Sequence, residues 1–319
     1  MTETQTGQGN TRPLVYVGPD RDHFGSEHAD DFLAAVERGG GKVTDVPEEA
    51  EAIVWLGSEI SRLPDLLDPG VRWVQLPSAG VESWMENGLL DSERVYTSAA
   101  GAYADTVAEH ALALMLAGAR RLHECARATS WEVGFGRLFA GSTVVILGAG
   151  GIGRALIRLL EPFGVHILAV THSGRQVPGA DESFSADEAE KLWPRGDFFV
   201  VAAPATSATK HMIGASQLAA MKSDAWVVNV ARGSLVDTDA LVEALAAGSI
   251  GGAALDVTDP EPLPEGHPLW TEPRALITPH TANPPDALAR ALAKRIEENV
   301  ARFAAGESLI GVVDAEAGY

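Results

Sequence analysis

An arginine, a glutamate and a histidine stand in three short motifs late in the chain. Arg232 lies in Asn229-Val-Ala-Arg-Gly233, Glu261 in Asp256-Val-Thr-Asp-Pro-Glu-Pro262, and His280 in Thr278-Pro-His-Thr-Ala282. A guanidinium is a planar fork that matches a carboxylate in two parallel hydrogen bonds, which a lysine cannot reproduce. An imidazole gives or takes a proton near neutral pH. A carboxylate against its far ring nitrogen fixes the tautomer and favours the charged ring. The set suits proton exchange at a carbonyl oxygen beside a carboxylate. Taken singly, each residue also fits a structural role: an ion pair at a helix entry, a solvated turn between prolines, a structural histidine. Their order and shared motif context favour the chemical reading.

Upstream, Gly148-Ala-Gly-Gly-Ile-Gly153 fits G-x-G-x-x-G. It closes the apolar run 143–147 and opens one with helical spacing, Ala155, Leu156, Leu159 and Leu160, the context this fingerprint requires. Gly148 permits the tight turn, Gly150 lets the backbone approach a pyrophosphate, and Gly153 lets helix and strand pack closely. Free N–H groups at the helix start, at Gly151 and Ile152, would face the phosphates. At the end of the next strand an acidic residue would hold ribose hydroxyls, and Thr171 stands there instead. His172, Ser173, Gly174 and Arg175 follow, polar and cationic groups of the kind that accommodate a 2'-phosphate. The expected cofactor is therefore NADP in preference to NAD; the alternative is that Thr171 and Ser173 bind NAD's ribose without discrimination.

The elements that would position these groups alternate between strand and helix. Strands are expected at 14–17, 52–56, 73–76 and 95–97, with a helix at 29–37 closed by Gly39-Gly40-Gly41. One long helix is expected over 107–122 with Asp105 as its N-cap. Further strands follow at 144–147, 165–170, 198–202, 225–229, 252–255 and 275–277, and a last helix over 285–304. Alternation of this kind indicates parallel sheets covered on both faces.

With Val107-Ala-Glu-His110, the glycine fingerprint and the three later motifs in this order, the chain resembles the D-isomer-specific 2-hydroxyacid dehydrogenases. That family includes glyoxylate/hydroxypyruvate reductases, D-lactate dehydrogenases and phosphoglycerate dehydrogenases. The resemblance implies an α/β protein of two doubly wound parallel-sheet domains, a Rossmann nucleotide-binding domain inserted in a flavodoxin-like substrate domain. The expected boundaries are 104–289 for the former and 1–103 with 290–319 for the latter, the long helix after Asp105 acting as the hinge between them. It further implies Arg232, Glu261 and His280 as catalytic residues and Ala79 and Gly80 as backbone donors to the substrate carboxylate. Ala203, Pro204, Ala231 and Asp256 join the cofactor positions. Trp84 is open to both a pocket-roofing and a core role. Thr258-Asp259 stands where Phe-Glu is more usual, a change expected to alter packing without touching Glu261. A homodimer joined through the nucleotide domains is also implied.

The favoured reading is hydride transfer between NAD(P)H and a small 2-oxo acid or D-2-hydroxy acid, of the glyoxylate/hydroxypyruvate type. A nicotinamide-sensing binding protein of the same fold, similar to the C-terminal-binding corepressors, is the rival. A phosphoglycerate-type enzyme is disfavoured because loop 78–85 supplies Glu82 and no Lys or Arg. Length and composition agree: 319 residues, 46% of them hydrophobic, suffice for two cores. A net charge of -20 argues against nucleic acid and anionic membrane as partners, and solubility is its plain reading. The single Cys125 forms no intramolecular disulfide and no metal-ligand spacing, which suits a reducing cytoplasm. No metal is expected. No apolar run approaches the length of a membrane span, and the N-terminal 1–13 stretch is polar, without a signal core, and expected to be disordered.

Overall fold

The computed structural model describes residues 12–131 and 134–315, so the expected N-terminal disorder lies, up to residue 11, outside the described residues. The chain divides into two compact units, Met1–Ala102 with Pro285–Tyr319, and Tyr103–Pro284.

The first unit begins β1 (Leu14–Gly18), α1 (Ala29–Arg38), β2 (Lys42–Thr44), β3 (Ala52–Trp55), β4 (Trp73–Gln75), α2 (Glu82–Glu86) and β5 (Val95–Thr97). Its five-stranded sheet is parallel throughout, in the order β2-β1-β3-β4-β5, the flavodoxin-like order. β3 reads Ala-Ile-Val-Trp and is buried at every position, as a central parallel strand covered on both faces must be. Ile53, Trp55, Leu63, Val74, Leu76, Trp84 and Tyr96 form the core on one side. β2 has no counterpart among the expected strands. Its residues Lys42, Val43 and Thr44 are exposed to half-buried, the polar character that protects a sheet edge and hides it from apolar pattern reading.

The second unit holds α3 (Ala104–Ala119), α4 (Leu122–Arg127), β6 (Thr143–Leu147), α5 (Gly151–Leu160), β7 (His166–Thr171), β8 (Glu182–Ser185), β9 (Phe198–Val201), α6 (Ala215–Ala220), β10 (Trp226–Asn229), α7 (Thr238–Ala247), β11 (Gly252–Leu255) and β12 (Ala275–Ile277). All seven strands are parallel, in the order β12-β11-β10-β9-β6-β7-β8. The order reverses at β6, between β7 and β9, the crevice where doubly wound sheets place their ligands. Two details correct the expectations for this region. The single helix over 107–122 is two helices, broken at Arg121, whose φ of 53 lies in the left-handed region and ends helical propagation. Asp105 is not the N-cap: Tyr103 holds that position, and Asp105 lies in the first turn, paired with Arg158 of α5 at 2.8 Å.

The chain then returns to the first unit in α8 (Pro285–Ala305), which packs on α1 and buries Leu292, Ile296 and Val300. Gly39 ends α1 against the carbonyl of Glu297, where a Cβ would lie 2.6 Å from that oxygen.

Candidate active site

The glycine turn shows three different uses of a missing side chain. Gly148 has φ +104, and a Cβ there would lie 2.5 Å from the Ala203 nitrogen. The turn after β6 and the Ala203-Pro204 segment after β9 therefore touch backbone to backbone. At Gly153 a Cβ would lie 2.4 Å from the Gly148 carbonyl oxygen, so α5 can start this close to its strand only with glycine. At Gly150, the N-cap of α5, a Cβ would meet nothing within 4 Å. The free face is where a ligand backbone can approach, and the N–H groups of Gly151 and Ile152 open the helix beside it.

β7 ends at Thr171, one residue past Val170, which faces Leu147, the last residue of β6 before the glycine turn. The Thr171 hydroxyl is buried and has no hydrogen-bond partner, a group that calls for an outside polar atom. His172, Ser173 and Arg175 are exposed, and Gly174 turns the chain with φ +68. Arg175 and His172 form no ion pair among the described residues. A helix start with open space and an orphaned hydroxyl at the neighbouring strand end fit a dinucleotide: phosphates at Gly150–Ile152 and a ribose at Thr171.

Three adjacent strands carry the polar trio. Asn229 of β10 pairs with Leu255 of β11, and Leu255 with Ile277 of β12. The segments that follow, with Arg232, Glu261 and His280, thus leave one sheet edge side by side. Asn229 is buried and shapes the first, accepting from the Ala231 N–H at 3.1 Å and donating to the Arg232 carbonyl at 2.9 Å. The Arg232 guanidinium lies back on the Ala231 carbonyl at 2.7 Å. Gly233 admits the neighbouring segment, because a Cβ would lie 1.9 Å from the Thr258 carbonyl oxygen. That contact brings the Glu261 turn beside Arg232.

His280 Nδ1 meets Glu261 Oε1 at 2.6 Å, with the two side chains about half exposed at 53% and 41%. With Nδ1 engaged by a carboxylate, Nε2 is the nitrogen left to exchange a proton with a substrate. Thr258 reaches Glu261 only through its main chain: its N–H points to Glu261 Oε2 at 3.4 Å, while its hydroxyl donates to the Pro260 carbonyl at 2.9 Å. A Phe could make the first contact and not the second.

Asp256 organises the whole turn. It is 2% exposed, and Oδ1 accepts from the Thr278 hydroxyl at 2.6 Å and the Thr281 N–H at 2.9 Å, while Oδ2 accepts from the Ala282 N–H at 3.1 Å. The Asp256 carbonyl takes the His280 N–H at 2.8 Å. These contacts hold His280 at φ 53, a backbone state that costs a non-glycine residue energy and persists only where neighbours enforce it. Burial pushes the Asp256 carboxyl up, but the hydrogen bonds from His110, Thr278, Thr281 and Ala282 together prevail and hold it at about 2. His110 of α3 supplies the fourth contact, with Nε2 at 3.3 Å from Asp256 and 2.9 Å from the Thr278 hydroxyl. The sequence places His110 in a motif without giving it a task, since nothing local shows that a helix so far upstream reaches this turn. Asp256, expected as a cofactor position, has its carboxylate engaged by protein groups.

In the first unit, Ala79 and Gly80 lie in the turn between β4 and α2. Their N–H groups make no hydrogen bond among the described residues. Trp84 resolves as core: it is 4% exposed and edge-on to Trp55 at 5.8 Å.

A parallel sheet with a glycine turn at its switch point and a histidine–carboxylate pair at its far edge defines a nucleotide-dependent oxidoreductase. Residues 112–282 match the model of the D-isomer specific 2-hydroxyacid dehydrogenase, NAD binding domain. An uncharacterised protein of Corynebacterium melassecola, from the region 3' to proB, is 43% identical over 92% of this chain and 98% of its own. Glyoxylate/hydroxypyruvate reductase B of Pectobacterium carotovorum is 35% identical over 72% and 75%. A D-isomer specific 2-hydroxyacid dehydrogenase of Xanthobacter autotrophicus, solved with NADPH and MES, superposes with a TM-score of 0.83 at 27% identity, covering 97% of this chain and all, 100%, of that one. The chain belongs to the D-isomer specific 2-hydroxyacid dehydrogenase family.

Proposed function

We propose that the protein is an NADPH-preferring reductase of small 2-oxo acids, glyoxylate and hydroxypyruvate foremost, acting as a cytoplasmic homodimer. The observation that carries this is the 2.6 Å pair of His280 and Glu261 beside Arg232, on the same sheet as an open glycine turn. When bound, the nicotinamide supplies the hydride. Glu261 holds the proton on Nδ1 of His280 and favours the charged ring, so that the imidazolium delivers its Nε2 proton to the carbonyl oxygen in reduction, leaving the Nδ1–H tautomer, whose Nε2 recovers the proton in oxidation. Arg232 takes the substrate carboxylate with its guanidinium fork, and in the first unit Ala79 and Gly80, with unbonded N–H groups, are kept as substrate-binding positions. Preference for NADPH rests on Arg175, cationic and exposed at the β7 end, on the want of a carboxylate at Thr171, and on the NADPH complex of the Xanthobacter relative. The single cysteine suits the cytoplasm.

The dimer rests on the segment after α4. Trp131, Phe135 and Leu138 are 99%, 100% and 76% exposed, an apolar concentration of the kind that protein interfaces cover, which supports this reading. The reading is tested with a panel of 2-oxo acids assayed with NADPH and NADH. Turnover of glyoxylate or hydroxypyruvate, faster with NADPH, is expected. His280→Ala is expected to retain NADPH binding and to lose roughly 10²- to 10⁴-fold in reduction, the contribution of a general acid. Binding of nucleotide without turnover of any 2-oxo acid would overturn it.

A further inference from the structure

We propose that a buried polar lattice of Gln75, Thr97 and Asn299 positions the turn at Ala79 and Gly80 and thereby sets affinity for the 2-oxo acid without touching it. The proposal rests on the reading that this turn receives the substrate carboxylate. All three residues are 0% exposed; Gln75 and Thr97 lie in a sheet whose adjacent strand β3 is apolar, and Asn299 lies on α8. An amide buried in such a core costs stability unless every donor and acceptor finds a partner.

Here the matching is complete. Gln75 and Thr97 are register partners on β4 and β5. Gln75 Oε1 accepts from the Thr97 hydroxyl at 3.0 Å and from Asn299 Nδ2 at 2.9 Å. Gln75 Nε2 donates to the Leu76 carbonyl at 2.8 Å and weakly to that of Thr97 at 3.3 Å. Asn299 closes the lattice on α8: Nδ2 also donates to the Ile310 carbonyl at 2.9 Å, and Oδ1 accepts from the Ile310 N–H at 2.8 Å. The Thr97 hydroxyl in turn accepts from Trp73 Nε1 at 2.8 Å.

The lattice lies at the base of the turn. β4 ends at Gln75, and the chain reaches Ala79 through Leu76, Pro77 and Ser78. The Leu76 N–H binds the Thr97 carbonyl at 2.7 Å, the Ala99 N–H binds the Ser78 carbonyl at 2.8 Å, and the Ser78 hydroxyl closes on the Gly80 carbonyl at 2.6 Å. The turn is thus tied to the continuation of β5. That continuation is tied to α8 by Arg295, which donates to the Ser98 and Ala100 carbonyls at 3.1 and 3.0 Å. Apolar side chains at the three lattice positions would fill the space equally well, but with non-directional contacts that leave the register of β4 and β5 against α8 loose. A directional network fixes one register, and the groups it holds in place are the two N–H donors left unbonded at Ala79 and Gly80.

The test uses the full-length enzyme with glyoxylate and NADPH. Thr97→Val is nearly isosteric and removes one node; Asn299→Leu removes another. Each is expected to raise the KM for glyoxylate about tenfold, the loss equivalent to one hydrogen bond to a charged group, with kcat and the NADPH dissociation constant within about a factor of three, near the error of such effects. A folded Thr97→Val enzyme with unchanged KM overturns the proposal, whether or not Asn299→Leu folds. So does a fall in kcat and NADPH affinity alongside KM, which marks a general structural defect. Gly80→Pro, which removes an N–H from the turn itself, separates the two levels. If it raises KM while Thr97→Val does not, only the lattice is wrong; if it leaves KM unchanged, the turn is not the carboxylate site and both readings fall.

Discussion

Replacing Asp256 by Asn tests whether the catalytic turn is held from within the protein. The ionised carboxylate receives four donors, and its carboxyl lies at about 2 against an ordinary 3.8. That difference corresponds to roughly 2.5 kcal/mol of preference for the charged form in the folded protein. Asparagine keeps one acceptor oxygen. It can serve either the Thr278 and Thr281 side or the Ala282 side, and its NH₂ then faces an N–H or O–H that has lost its partner. A buried donor left unpaired costs about 1 to 3 kcal/mol. The two figures describe overlapping interactions, so Asp256→Asn is expected to lose about 2 to 4 kcal/mol in urea unfolding. The sign of the pH dependence follows from the lowered pKa. The carboxylate contributes fully above pH 3.8, and its contribution disappears as pH falls through about 2. The variant should therefore show a shallower acid-unfolding curve in that window. Because Thr281, Ala282 and the strained His280 lose their brace, kcat should fall by at least about tenfold, as misplacement of a catalytic group does, while NADPH affinity holds. A stability loss under about 0.5 kcal/mol, the range of surface substitutions, would refute the brace. Weakened NADPH binding at full stability would instead make Asp256 a direct cofactor contact.

Arg175→Ala should raise the KM for NADPH by roughly tenfold to a hundredfold, as expected for a lost charge-assisted hydrogen bond, with the NADH value nearly unchanged; Thr171→Asp should reverse the preference by adding a charge that repels the 2'-phosphate. Equal weakening of both cofactors by Arg175→Ala would contradict the assignment. The parent is expected to sediment as a dimer at micromolar concentration and Trp131→Ser with Phe135→Ser as a monomer; a monomeric parent would refute the proposed dimer, and an unchanged species would remove this segment from the interface. His123 is buried against Trp226, and burial holds its pKa below the ordinary 6.5. The unfolded chain then takes up a proton that the folded one refuses, so this histidine's stabilising effect is full above pH 6.5 and declines below it. His123→Phe should flatten the melting temperature between pH 6.5 and 5, and an unaltered slope would exclude His123 as its source.

Central strands were readable because burial on both faces demands apolar side chains at every position, as in β3 and β9. The edges escaped the same reading. β2 and β8, Lys42–Thr44 and Glu182–Ser185, are polar or half-buried throughout, and only pairing with an inner strand makes them strands. The helices α6 and α7 were missed for another reason, since Ala215–Ala220 is short and Thr238–Ala247 follows a strand through a turn without an apolar boundary. The break at Arg121 is also invisible to periodicity, because Ala and Leu continue the helical pattern past Gly118 while the backbone turns left-handed. Apolar spacing reports which face is covered, not where hydrogen bonding stops.

In the site, the legible residues are those whose constraint is local or absolute. Gly148, Gly153 and Gly233 each admit a backbone atom closer than any Cβ allows, with gaps of 2.5, 2.4 and 1.9 Å, so no other residue type can stand there and the motif advertises itself. Arg232, Glu261 and His280 are legible because the chemistry of a 2-oxo acid admits few alternatives to a forked cation and a tuned imidazole. His110 and Asn299 follow a different rule. Each finds its partner across the fold, His110 at Asp256 and Asn299 at Gln75, and a histidine or asparagine on an apolar helix gives no sign of which distant acceptor it will meet. The directional groups that hold the two turns are thus the least readable part of the sequence. They are also the part that conservative substitution would damage with little outward trace: a leucine at Asn299 preserves the helix and its packing volume, keeps the Trp73–Phe303 ring contact, and removes the hydrogen bond from α8 to Gln75 of β4.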